Sequence, residues 1–131
     1  MQKKEIVLLT LIIFIAAALR FAYPTITSVG TDEAEFFERT QRMLETKEPI
    51  LDGKSHEGNQ FFGPFLFYLF AIPIALSGKY VSISMLYGLL GVVEIVLVYW
   101  WIKKLLNTRI ALITGALLAT SPWHNIYSRI P

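Results

Sequence analysis

The run Val81–Ile102, V-S-I-S-M-L-Y-G-L-L-G-V-V-E-I-V-L-V-Y-W-W-I, carries a single charged residue, Glu94. Wound as an α-helix it is about 33 Å long, enough to cross the hydrocarbon core of a bilayer. A stretch of that length and composition predicts a membrane-spanning helix, and the rest of the chain has to be read around it. Of the 131 residues 54% are hydrophobic and 17% charged, and the mean hydropathy is +0.51, a profile of membrane proteins. The charges are also segregated. Apart from Arg20, Lys79, Glu94 and the Lys103 to Arg109 cluster, they sit in the first five residues, between 32 and 57, or at Arg129.

Three further apolar runs follow from that segregation. Ile6 to Tyr23, roughly 27 Å as a helix, reads as a first span, with Arg20 and Tyr23 as interfacial anchors. Lys3 and Lys4 set its N-terminus in the cytoplasm, because cytoplasmic flanks are enriched in Lys and Arg. Residues 24–60 then form an outer loop in which acidic residues outnumber basic ones. Lys103, Lys104 and Arg109 mark the short loop after Val81–Ile102 as cytoplasmic, so that helix runs inward and Ile110 to Trp123 returns outward, with Trp123 and Tyr127 as belt residues. Phe61 to Leu76 makes only about 24 Å of helix and is interrupted by Pro64 and Pro73. If the orientation holds it does not cross, and reads as re-entrant or interfacial rather than as a short span. Ala16-Ala17-Ala18 also fits the end of a cleaved signal, in which case an exported chain begins near Leu19.

Within the outer loop, Gly30 to Lys47 is charged and amphipathic. Thr31 is the expected N-cap of a helix over 31–47 that Pro49 terminates. Phe36, Phe37, Thr40, Met43 and Leu44 share one side, while Glu35/Arg39 and Glu38/Arg42 are i,i+4 pairs on the other. Such a helix is expected to lie along the membrane surface. Ser84/Gly88 and Ala111/Gly115/Ala119 place small residues four apart, a spacing that lets helices pack closely.

Composition removes several classes. A net charge of +2 with no basic stripe interleaved with aromatics gives no footprint for nucleic acid. Without cysteine there is no disulfide, thiolate nucleophile or cysteine-based zinc site. The ionisable residues that remain are few. Asp32 and Glu33 fall in a first helical turn, where acidic side chains complement the helix dipole; at the rim of a membrane cavity they can also act on a lipid-borne substrate. Glu94 in mid-span demands a partner, expected to be an interhelical hydrogen bond or ion pair, and Gly91 one turn away marks a packed face. His124 reads as an interfacial hydrogen-bonding residue.

The order of motifs resembles a known superfamily. An N-terminal span ending in L-R-F is followed by D-E-A-E-F-F-E-R-T-Q-R-M-L, then G-P-F-L-F-Y-L. A span closing on K-K-L-L-N-T-R comes next, then A-L-L-A-T-S-P-W-H-N-I-Y-S-R. This series is similar to the N-terminal part of the GT-C glycosyltransferases, of the protein mannosyltransferase and aminoarabinose transferase type, and covers nearly the whole chain. The resemblance implies an extracytoplasmic active site in the plasma membrane and a polyprenyl-phosphate-linked sugar as donor. It implies transfer with inversion, and a catalytic carboxylate at Asp32 with Glu33 beside it. A carboxylate there would orient or deprotonate the acceptor hydroxyl. The departing phosphate would need cationic help, for which Arg129 in S-x-R is the first candidate and Lys54 and Arg20 are weaker ones. His56 and Glu57 stand where some relatives bind a metal or phosphate. The aminoarabinose enzymes have E-K-P-P-L where this chain has F-F-G-P-F, so those ligands are not preserved residue for residue; His56 and Glu57 can contribute to a divalent-metal site but cannot make one alone.

The expected fold is therefore all-α and multi-pass. It has about three transmembrane helices, an interfacial amphipathic helix, and a re-entrant or juxtamembrane helix in the first outer loop. Residues 1–131 are expected to form the N-terminal part of one membrane-embedded domain, inactive alone and continued beyond Pro131. The rival from another class is a non-catalytic membrane protein, a transporter piece or assembly subunit, in which Glu94 is the important group. The sequence gives neither the sugar nor the acceptor.

Overall fold

A computed structural model of the protein describes residues 3–22, 31–51, 53–54 and 61–128. Among them the fold is all-α apart from one small ladder. The six helices are α1 (Lys3–Phe21), α2 (Thr31–Thr46), α3 (Phe65–Ser77), α4 (Val81–Leu105), α5 (Thr108–Thr120) and α6 (Pro122–Tyr127). Strands β1 (Gly53–Lys54) and β2 (Phe61–Phe62) pair antiparallel, Gly53 opposite Phe62 and Lys54 opposite Phe61. The chain divides into two compact units, Met1–Thr27 with Ser84–Pro131, and Ser28–Ile83.

In the first unit, contacts at the two ends of α1 fix the direction of its neighbour. Buried Glu5 accepts hydrogen bonds from the Tyr99 hydroxyl and the Lys103 ammonium, near the C-terminal end of α4. At the other end of α1, Phe21 lies on Gly88 and Arg20 on Gly91, in the first half of α4. The two helices are therefore antiparallel. Asn107 then turns the chain. Its backbone is extended and its side chain accepts from the Ile110 N–H at 3.0 Å, capping α5, a contribution of about 1 kcal/mol. With the chain reversed, α5 runs parallel to α1 and packs along it. The small-residue stripe makes that approach possible: Ala111, Gly115 and Ala119 are the buried residues of α5. The core is Ile12, Ala16, Ile95 and Ala119, flanked by Val92, Leu112, Ala116 and Leu118.

The apolar run expected as one helix over 110–123 is broken at Ser121. A residue before proline is pushed out of the helical region, and Ser121 sits at φ −59°, ψ 123°. It ends α5 and caps α6, its hydroxyl accepting from the His124 N–H at 3.5 Å. The Asn125 amide closes the break by donating to the carbonyls of Ala119 (3.1 Å) and Ser121 (3.0 Å).

Among the described residues one helix, α4, is long and apolar enough to cross a membrane. It continues past Ile102 through Lys103 and Lys104 to Leu105, and the Lys104 ammonium lies 4.0 Å from the Trp100 ring centre. Helix α1 is charged at both ends, by Lys3, Lys4, Glu5 and Arg20, which leaves only Ile6 to Leu19 uncharged. Helices α3 and α5 have 13 residues each, about 20 Å, short of the roughly 30 Å hydrocarbon layer.

The second unit is built on α2 against α3. The amphipathic pattern of α2 finds a protein partner here: Phe36 packs on Phe67 with ring centres 4.9 Å apart and on Phe70 edge-on at 6.2 Å. Arg39 lies 4.9 Å above the Phe67 ring. Thr40 is buried because its hydroxyl is satisfied by the Phe36 carbonyl at 2.7 Å. Both expected pairs form: Glu35–Arg39 at 3.6 Å, half-buried beside Phe67, and Glu38–Arg42 at 3.2 Å on the exposed face. The helix stops at Thr46, one residue short of the expected end, because Lys47 takes a left-handed conformation with φ 59°. In α3 the two prolines act differently from the expectation that both interrupt it. Pro64 occupies the N-cap, where its missing N–H costs nothing, while Pro73 is accommodated inside the helix. Gly78 at φ 63° closes α3, a backbone conformation that suits glycine.

Candidate functional site

The polar groups of the first unit gather beside Gly91. Arg20 reads in sequence as an interfacial anchor, but only 2% of its surface is exposed. Its Nη1 donates to the Ala16 carbonyl at 3.1 Å, whereas Nε and Nη2 are buried without a hydrogen-bond partner among the described residues. The close approach depends on Gly91, where an added Cβ would fall 2.8 Å from Arg20 Nε and 2.8 Å from Ser128 Cβ. Glu94, one turn further along α4, lies within Coulombic reach of the guanidinium. Its Oε2 stands 3.4 Å from His124 Nε2, in ion-pair range but not aligned as a hydrogen bond. Ser128, in the cap of α6, donates to the Asn125 carbonyl at 3.2 Å.

Beside this cluster lies a cavity of about 360 Å³, lined by Tyr87, Leu90, Gly91, Glu94, His124, Tyr127 and Ser128; Arg20 is not among its lining residues. Stacked Trp123 and Tyr127, ring centres 5.7 Å apart, are exposed on α6. A guanidinium held out of water is costly unless an acceptor or an anion meets it; here the Ala16 carbonyl is the acceptor and Glu94 the carboxylate whose charge reaches it.

The residues singled out from sequence fare unequally. Asp32 and Glu33 lie in the first turn of α2, their side chains outside the described residues. Lys54 stands in β1, its side chain likewise outside them, and His56, Glu57 and Arg129 fall outside altogether. Of that set Arg20 alone has described surroundings. Among the described residues no three of His, Asp and Glu converge as metal ligands. A second cavity, of about 520 Å³, lies in the other unit beside Arg39 and Arg42, but both arginines are already paired with glutamates of the same helix.

Two features escape a sequence reading. His124 is the partner that Glu94 demands, yet nothing linear joins them; the signal was Pro122, which starts a new helix and carries His124 back toward α4. The Glu5–Tyr99–Lys103 group is equally long-range, its one trace being an acid among N-terminal lysines. No known family model, curated protein or solved structure matches the chain.

Proposed function

We propose that the chain belongs to an integral, multi-pass membrane glycosyltransferase. The enzyme moves a sugar from a polyprenyl-phosphate donor to an acceptor hydroxyl on the extracytoplasmic side, with inversion. Asp32, supported by Glu33, orients and deprotonates the acceptor. As the acceptor oxygen bonds to the anomeric carbon, the bond from that carbon to the phosphate oxygen breaks, and the electron pair leaves on polyprenyl phosphate. Arg129, with Lys54 and Arg20, offsets the charge that develops there. The motif order carries the identity of the reaction. One observation of structure supports its geometry: α1 and α5 run parallel with α4 antiparallel, so that Arg20 and Ser128 meet beside Gly91 of α4. The exposed apolar surface of α4, including Leu89, Val93 and Leu97, is covered by lipid in this reading. The test is to supply the full-length protein in vesicles with a polyprenyl-phosphate sugar and an acceptor extract. Release of polyprenyl phosphate is expected, and its absence across common sugars would exclude the reading.

A second reading, a membrane protein without transferase activity, is favoured by the Glu94–His124 contact at 3.4 Å. Glu94 lies about 14 Å along the helix from Lys103. If Lys103 marks the inner boundary, the pair is roughly 16 Å inside the outer one, and ionisable groups at such depth commonly line a pathway. Glu94 would then be the essential residue.

A further inference from the structure

We infer that the 360 Å³ cavity beside Gly91 is a binding site for a neutral polyhydroxylated ring, a sugar. Its volume falls in the range of small-molecule pockets, and its wall selects ligands by charge. The Glu94 carboxylate lines the cavity and repels an anion. The Arg20 guanidinium lies behind the wall at Gly91, within Coulombic reach of Glu94, and removes the attraction for a cation. One positive and one negative charge sum to zero, so the cavity is polar without being charged. A ligand held there is uncharged and rich in hydrogen-bonding groups.

The polar groups of the wall match hydroxyls. The Glu94 side chain is 53% exposed, and His124 Nε2 at 3.4 Å is not aligned with it as a hydrogen bond, so the carboxylate oxygens are open to O–H donors. His124 Nε2 is itself buried at the cavity without a hydrogen-bond partner among the described residues, and a buried polar atom of that kind calls for one. Ser128 donates its proton to the Asn125 carbonyl at 3.2 Å, which leaves its oxygen to accept. A hydroxyl both donates and accepts, and a ligand carrying several can serve carboxylate, imidazole and serine together. The aromatic part of the wall suits the C–H face of a sugar ring, because the face of an aromatic ring is its electron-rich side. Tyr127 supplies such a face, and stacking on Trp123, with ring planes 13° apart, holds it in place. This inference rests on the transferase reading and deepens it, since such an enzyme must hold a sugar, but binding is measured without transfer.

The experiment uses the full-length protein in phosphatidylcholine nanodiscs and follows its thermal unfolding. One arm titrates free glucose, mannose and galactose, together with glucosamine and glucuronate. The other incorporates polyprenyl phosphate with and without an attached hexose. Stabilisation by a neutral hexose is expected, with weaker binding of both charged counterparts. Glu94→Gln keeps the shape but loses the charged acceptor, and should weaken hexose binding about tenfold. Tyr127→Ala should weaken it about threefold to tenfold, while Tyr127→Phe, which keeps the ring, should bind as wild type does. Tyr127 is 64% exposed, so its variants decide the matter if Glu94→Gln does not fold. No stabilisation by any hexose, free or lipid-linked, overturns the site. Wild-type affinity in both Glu94→Gln and Tyr127→Ala overturns it too, as does tighter binding of glucosamine or glucuronate than of the neutral hexoses. Stabilisation by free hexose alone upholds the site and counts against the lipid donor as its source. Greater stabilisation by the hexose-bearing lipid than by bare polyprenyl phosphate upholds it and assigns it to the donor sugar. Asp32→Asn should abolish transfer yet bind hexose as wild type does, which separates failure of the site from failure of the reaction.

Discussion

Asp32→Asn in the full-length protein should lower sugar transfer about 10²- to 10⁴-fold, the usual contribution of a positioned general base, with unchanged membrane insertion. Asparagine keeps the shape and the capacity to accept a hydrogen bond at the first turn of α2 but cannot take a proton from the acceptor hydroxyl. The comparison with Glu94→Gln makes the result informative. If Glu94 lines a pathway in a protein that transfers no sugar, Glu94→Gln impairs function and Asp32→Asn does not. A small, uniform effect of Asp32→Asn would reduce Asp32 to a charge complementing the helix dipole, worth at most about 1 kcal/mol. The assay is initial-rate transfer in reconstituted vesicles, with expression and insertion measured in parallel.

Val93→Arg should block insertion of α4. Val93 lies near the centre of the helix and is 43% exposed, so its surroundings decide the cost. Facing lipid, an arginine at the centre of a span is unfavourable by about 3 kcal/mol, a shift on the order of a hundredfold in the inserted fraction. Facing water, the same change falls within about 0.5 kcal/mol of neutral. Glu94 offers no rescue, because adjacent residues on a helix do not face each other. Protease protection of the α4–α5 loop in isolated membranes reads the outcome, and unchanged protection would remove α4 from the bilayer.

Much of the fold was legible because it rests on local signals. The apolar length of Val81–Ile102, the two-faced pattern of α2, and the four-residue spacing of Ala111, Gly115 and Ala119 each depend on helical periodicity, which a sequence displays directly. The break at Ser121 was also written locally, in Pro122, but lay hidden in an apolar run whose length suggested a continuous helix. The candidate site was legible only in part. Glu94 announced a need for a partner, since a charge within such a run is expensive, while the identity of that partner depends on how α6 folds back on α4. Arg20 misled for the opposite reason: an arginine at the end of an apolar run resembles an anchor, and only Gly91, by lacking a side chain, admits it to the interior.

The most direct measurement is sidedness. The chain contains no cysteine, so single replacements can be labelled without background: Asp32→Cys, Arg129→Cys and, for the other face, Asn107→Cys. With a membrane-impermeant maleimide applied to intact cells, the first two should react and the third only after lysis. Asp32→Cys and Arg129→Cys labelling from opposite faces would contradict a shared site for sugar transfer.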